Sequence, residues 1–162
     1  MGIDFKEKYP LLFRNKDAMQ PINMFGNECA KGWDFLLDET FRLLYSRYKQ
    51  AKSSLEFWKT AQVDDFRTPE KIAESIKFFE KDVEDRFNEL PIVVQCKSKF
   101  GSLRLYCDNL HPYASGVIDM AEVISAYTCE VCGEKGKPTG GRWITTLCEV
   151  CEKKEKKPVD NP

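Results

Sequence analysis

CEVCGEKGKPTGGRWITTLCEVC, residues 129–151, holds four of the chain's seven cysteines in two identical CEVC tetrads, fifteen residues apart. Two residues between thiolates let one tight turn present both sulfurs to the same ion. Two such knuckles from adjacent hairpins complete the tetrahedron that zinc accepts from thiolates. Gly133 stands just after the first knuckle, where the chain must turn without a Cβ clash. The spacer carries Gly136, Gly140 and Gly141 for turns, and RWITTL (142–147) reads as a short strand running into the second knuckle. The C-x2-C-x15-C-x2-C spacing of Cys129, Cys132, Cys148 and Cys151 therefore predicts one zinc ribbon. Two disulfides would need an oxidising compartment, and a redox C-x-x-C pair would need a thioredoxin-like βαβ pattern that is missing. An iron–sulfur cluster also uses four cysteines, but paired knuckles suit zinc better. Four thiolates leave no position for water or substrate, so the zinc is expected to be structural. Its formal charge of about −2 with four thiolates lies near Lys135, Lys137, Arg142 and Lys153 in sequence.

Upstream of the ribbon the hydrophobic period changes three times. Residues 1–28 carry Pro10, Pro21 and Gly26 with little periodicity, and read as an irregular segment anchored by Leu11, Leu12 and Phe13. From residue 29, Trp33, Leu36, Leu37, Thr40, Phe41, Leu44 and Tyr48 fall on one helical face. That helix is expected to reach about residue 60 or to break at Ser53–Ser54. Thr68-Pro69-Glu70 is a helix start, with a hydroxyl N-cap, Pro in the first turn and an acid at the positive end of the dipole. The stripe Ile72, Ile76, Phe79, Val83, Phe87, Leu90 follows and stops before Pro91. Residues 91–108 alternate as strands do, with a turn near Phe100-Gly101-Ser102 and a positive φ expected at Gly101. Val117, Met120, Ala121 and Ile124 mark a third helix over 113–127.

The predicted fold is thus α+β: helices packed on a β-hairpin, with a C-terminal four-cysteine zinc ribbon. Its parts are an irregular segment over 1–28, an α+β body over 29–127, the ribbon over 128–152 and a solvated tail over 153–162.

At 162 residues, 42% hydrophobic and 31% charged, the chain suits one compact domain with a core of its own. The formal net charge of −1 argues against coating nucleic acid by bulk charge. MGIDFKEKYP lacks an apolar h-region, and Lys6 stands where myristoylation needs Ser or Thr. No run of about 18 apolar residues marks a membrane span. An odd cysteine count without a secretion signal points to a reducing compartment, where thiols bind metal or stay free. Cys96 and Cys107 are expected to pack as small apolar groups, and Cys29 to be a free thiol ahead of a helix.

Catalysis finds little support. His111 is the one histidine, too few for the HNH-type nucleases that four-cysteine ribbons often accompany. No nucleophile elbow, P-loop or G-x-G-x-x-G is present. Glu80, Asp82, Glu84 and Asp85 read as a solvated helix face. An enzyme reading would revive if folding set His111 beside acids in a deep cleft. The candidate binding surface is basic and aromatic: Lys97, Lys99, Phe100, Arg104 and Tyr106 on the hairpin, with Arg142 and Trp143 on the ribbon. Such a surface serves single-stranded nucleic acid or a protein partner.

CAKGWDFL (29–36), KSKFGSLRLY (97–106) and TCEVCGEKGKPTGGRWITTLC (128–148) occur in the order found in a group of small, mostly uncharacterised phage and prophage proteins. They resemble C-x-x-G-W-x-x-L, K-x-K-F-G-x-L-R-x-Y and T-C-E-x-C-G-x-x-G followed by G-W-x-x-T-L-C. The resemblance spans roughly residues 29–151, leaving out 51–90. Members of the group often close the second knuckle with His where this chain has Cys151, and here Arg142 separates Gly141 from Trp143. The resemblance implies a mobile-element origin and a bacterial host cytoplasm, with no established activity. The expected function is non-catalytic binding to a host macromolecular complex, with inhibition of a defence nuclease such as a CRISPR effector as the candidate outcome. The alternative is a nucleic-acid-binding regulator.

Overall fold

The computed structural model describes residues 3–14, 29–141 and 143–155. Helix α1 (Phe5–Lys8) is followed by a 3-10 turn (Lys31–Trp33) that runs into α2 (Asp34–Lys59). Then come α3 (Pro69–Asn88), the strands β1 (Ile92–Lys99) and β2 (Ser102–Asp108), and α4 (Pro112–Ser125). The ribbon supplies β3 (Lys137–Thr139), β4 (Thr145–Leu147) and α5 (Glu149–Glu155). Each two-stranded sheet is antiparallel. The α+β class with a C-terminal four-cysteine cluster is as the sequence predicts.

The body's core forms where α1, α2 and α4 meet one face of the β1–β2 hairpin. Leu12, Trp33, Leu37, Phe41, Val93, Cys96 and Leu103 are its fully buried members. Phe41 gathers the rings of Phe5, Tyr9 and Phe13 within 5.2–5.8 Å, so the N-terminal anchors are more aromatic than Leu11–Phe13 alone suggests. The rest of the 1–28 segment lies outside the described residues.

Helix α2 does not break at Ser53–Ser54. Its 26 residues make a rod of about 39 Å at 1.5 Å per residue. Its last turns leave the core and pair with α3, through Tyr48 on Phe87, Arg47 on Glu89 and Lys59 on Glu80. Thr68 accepts from the Lys71 N–H and caps α3 as predicted. Yet no residue of α3 is fully buried, because its stripe meets one helix rather than a core.

A sheet edge exposes unpaired backbone groups, and α4 covers the edge of β2. Ser125 Oγ accepts from the Leu103 N–H at 2.8 Å, and Glu122 Oε1 accepts from the Leu105 N–H at 3.0 Å. Of the stripe that marked α4, Ala121 is buried. The helix buries Ala114, Ile118, Ala121 and Ser125, three of them small enough to let it lie close against a strand edge. Val117 is half-buried, while Met120 and Ile124 are exposed. Ser125→Ala would strand the buried Leu103 donor and is expected to lower stability by about 1–3 kcal/mol. A thermal melt should record this as a fall of several degrees; an unchanged melt would mean that the edge is not held this way.

Cys29 and Cys96 are bonded as a disulfide, with Cα atoms 6.1 Å apart. This corrects the expectation of a free Cys29 and of a Cys96 that only packs. Cys29 enters the 3-10 turn over the core face of β1, where Cys96 is fully buried. The bond also removes the ground for reading every thiol as reduced. Cys107 stays a free thiol, and burial pushes it up to about 12.

Candidate metal centre

The Sγ atoms of Cys129, Cys132, Cys148 and Cys151 all lie within 4.8 Å of one another, and Cys132 and Cys148 approach to 3.6 Å. A tetrahedral zinc–thiolate site with bonds of about 2.3 Å has sulfur–sulfur edges of about 3.8 Å. The cluster is therefore of the size that one ion needs, and an all-sulfur donor set suits zinc. Among the described residues no other group of His, Cys, Asp and Glu gathers in this way.

The two knuckles differ in build. In the first, Cys129 N–H donates to Glu134 O at 2.7 Å, and Gly133 N–H donates to Cys129 O at 3.0 Å. Gly133 sits at φ +82°, which lets the chain leave the turn after Cys132. The second pair has Glu152 at the equivalent place, and the chain continues as α5, with Cys151 in the helix and its N–H 3.4 Å from Cys148 Sγ. The expectation of two hairpin knuckles is thus corrected: one is a loop, the other a helix start. Lys153 and Lys154 fall in the last turn of α5, where cations suit the dipole. The predicted tail therefore begins as helix through Glu155, and its remainder lies outside the described residues.

Cys129 and Cys151 do not ionise alike. Burial works against the charge on Cys129, but N–H groups of Cys148, Cys132 and Val131 outweigh it and bring the thiol to about 7. Hydrogen bonding to Cys148, with burial, pushes Cys151 up to about 12. Sulfurs this close cannot all be thiolates without a cation between them, and a bound ion supplies that charge.

The ribbon is fastened to the body at three backbone points. Gly32 N–H donates to Glu130 O at 2.8 Å. Trp33 Nε1 donates to Thr128 O at 3.0 Å, with the indole fully buried. Thr146 Oγ1 donates to Gly101 O at 2.6 Å. Glu130 then ties the first knuckle to β4: its N–H donates to Thr146 O, and its carboxylate accepts the Thr146 N–H at 2.9 Å. A Cβ on Gly32 would collide with Cys129 O and stand 2.7 Å from the Glu130 carbonyl carbon. The C-x-x-G-W, F-G and T-L-C stretches thus converge on one junction. Sequence reasoning assigned Gly101 to a turn and gave Gly32 no role. The available signal was a glycine next to a large apolar residue, in a place where no turn was needed.

The candidate surface residues separate into groups. Phe100 and Trp143 are largely exposed and share a hollow of about 250 Å³ with Ser98, Lys99 and Ile144. Lys97 lies 4.9 Å from the Tyr106 ring and bonds Gln95 Oε1. Arg104 turns to Glu122 at 3.4 Å and to its neighbour's carbonyl. Arg142 lies outside the described residues.

Folding does bring His111 near an acid, with Nε2 3.8 Å from Glu89 Oε1. The surroundings are an open hollow rather than a deep cleft. The imidazole is 44% exposed, and Glu89 is held by Arg86 at 2.9 Å. His111 and Glu89 line this hollow with Asp85, Arg86 and Asn109, and a smaller one beside it with Tyr48 and Tyr113. Glu80 and Asp82 pair with Lys59 and Arg86. No helix among the described residues is long and apolar enough to cross a membrane. No protein-family model, curated protein or solved structure matches this chain.

Proposed function

We propose that this chain is a non-catalytic binding protein of phage or prophage type, held in shape by one structural zinc. It docks on a macromolecular complex of a bacterial host cytoplasm, and a defence nuclease such as a CRISPR effector is the candidate target. The zinc is assigned to Cys129, Cys132, Cys148 and Cys151, whose four sulfurs complete its coordination and leave it no catalytic position.

The observation that supports docking is the uncovered face of α4. Met120, Val123, Ile124 and Tyr127 are 61%, 60%, 44% and 63% exposed on adjoining turns. Met120, Val123 and Ile124 lie on α4 and Tyr127 in the turn that follows it, and together they form an apolar patch on an element that the body holds in place. Contiguous apolar surface of this kind marks contact sites in soluble proteins. The test is affinity capture from host lysate with wild-type protein and a Met120→Asp/Ile124→Asp variant, followed by size exclusion. One host assembly is expected to co-elute with wild type, and the double variant, with its metal and helix content intact, is expected to lose it. Equal capture by both proteins would remove the support for this face. A nucleic-acid-binding regulator is the second reading, favoured by the basic, aromatic tips of the two hairpins.

A further inference from the structure

Two turn tips from different modules meet at the junction. One is the two-residue loop Phe100–Gly101 of the body hairpin, closed by the Lys99–Ser102 pair. The other is the β3–β4 turn that carries Trp143. The Thr146 hydroxyl bonded to Gly101 O fixes one tip against the other. Each tip presents one aromatic ring to the same hollow, Phe100 at 69% exposure and Trp143 at 80%.

Phe100 is out of place by every local rule. Its φ is +55° and that of Gly101 is +76°, the conformation of a turn that favours Asn-Gly or Asp-Gly. A bulky aromatic at positive φ is disfavoured backbone. The side chain returns nothing to the core, since most of it faces solvent. A strained residue whose side chain is not used in folding points to a surface role.

Charge indicates what fits there. The stretches 97–106 and 135–147, which carry the two tips, contain Lys97, Lys99, Arg104, Lys135, Lys137 and Arg142 and no acid, in a chain whose net charge is −1; of these, Arg104 is paired with Glu122. Of the acids near these tips, Glu122 is used by Arg104 and the Leu105 N–H, and Glu130 by the Thr146 N–H; Asp108 pairs with Ile92 at the opposite end of the body hairpin. The hollow itself, at about 250 Å³, is below the roughly 300–1,000 Å³ typical of drug-sized ligand sites. It suits one flat ring system with anionic neighbours.

We propose that the Phe100 and Trp143 tips form a stacking clamp for one unpaired base of a single-stranded nucleic acid, with Lys99, whose Nζ lies 5.4 Å from the Phe100 ring centroid, turning to its phosphates as the base enters. Base–aromatic stacking beside cations that follow the backbone is how single strands are held without sequence readout. The clamp rests on the second reading of function and is separate from the α4 face.

The test uses the full-length, zinc-loaded protein and a fluorescein-labelled oligo-dT, read by anisotropy at low and at physiological salt. An abasic deoxyribose-phosphate strand of equal length is the comparison. The oligo-dT is expected to bind, to quench Trp143 and to weaken with salt. Trp143→Ala and Phe100→Ala are each expected to weaken it by about 5- to 150-fold, the range for one stacked base. Phe100→Asn is the discriminating variant. It relieves the positive φ, so the melting temperature should hold or rise while affinity falls as in Phe100→Ala. If oligo-dT binds but ignores all three substitutions, or binds no better than the abasic strand, the clamp is overturned and electrostatic nucleic-acid binding survives. If no strand binds at low salt, both the clamp and the nucleic-acid reading fail.

Discussion

Stripping the metal with the Cys29–Cys96 disulfide left intact is expected to release residues 128–155 from the body while the core around Phe41 and Trp33 stays folded. The ribbon's buried cluster consists of Cys129, Leu147 and Cys151, with Cys148 packed against it. Apart from Leu147, these are the ligands themselves. A segment whose interior is its own ligand set has almost no apolar burial to fall back on. Structural zinc contributes on the order of 10–16 kcal/mol in isolated peptide sites, as much as the whole stability of a typical domain. Three backbone fastenings at about 1 kcal/mol each do not offset such a loss. Cys132→Ser should reproduce the effect without a packing defect, because Cys132 is exposed while Cys129 and Cys151 are buried. Hydrogen exchange is the measurement. Amides of Cys129, Glu130, Gly133 and Thr146 are expected to lose protection on chelation, and those of α2 and the β1–β2 hairpin to keep it. Unchanged protection in the ribbon would mean that it stands without metal.

The second large effect is expected at Gly32. Gly32→Ala places a methyl group against the Cys129 and Glu130 backbone, which carries a metal ligand. The Gly32 N–H to Glu130 O bond must also break. Overpacking against side chains costs about 1–3 kcal/mol; against backbone, with a lost hydrogen bond, at least about 3 kcal/mol is expected. Gly116→Ala is the matched control. A Cβ there meets nothing within 4 Å in the middle of α4, so the change should stabilise by about 0.5–1 kcal/mol. Urea melts of the two variants should move in opposite directions. A Gly32→Ala protein as stable as wild type would show that the ribbon is not seated on the 3-10 turn.

Periodicity and spacing explain why much of this was legible. Thr68-Pro69 fixed the start of α3, Gly101 the hairpin turn, and the CEVC pairs the metal cluster, because each depends on residues adjacent in the chain. The disulfide was hidden, since nothing local connects Cys29 to Cys96 across 67 residues. The buried face of α4 was legible only in part, at Ala121, for a related reason. A hydrophobic stripe assumes that the larger apolar residues go inward, whereas Ala114 and Ser125 are buried because a strand edge lies against them. Thr146 had no local signature, and Gly32 only that of a glycine beside a large apolar residue. Their roles are approach distances to distant backbone, which appear only once the ribbon is placed on the body.

X-ray absorption at the zinc edge, on freshly purified reduced protein with its metal content measured alongside, tests the clasp most directly. One zinc per chain, bound by four sulfurs at about 2.3 Å, is the predicted result. A protein without transition metal, or an ion bound by nitrogen or oxygen in place of any of the four sulfurs, would contradict it.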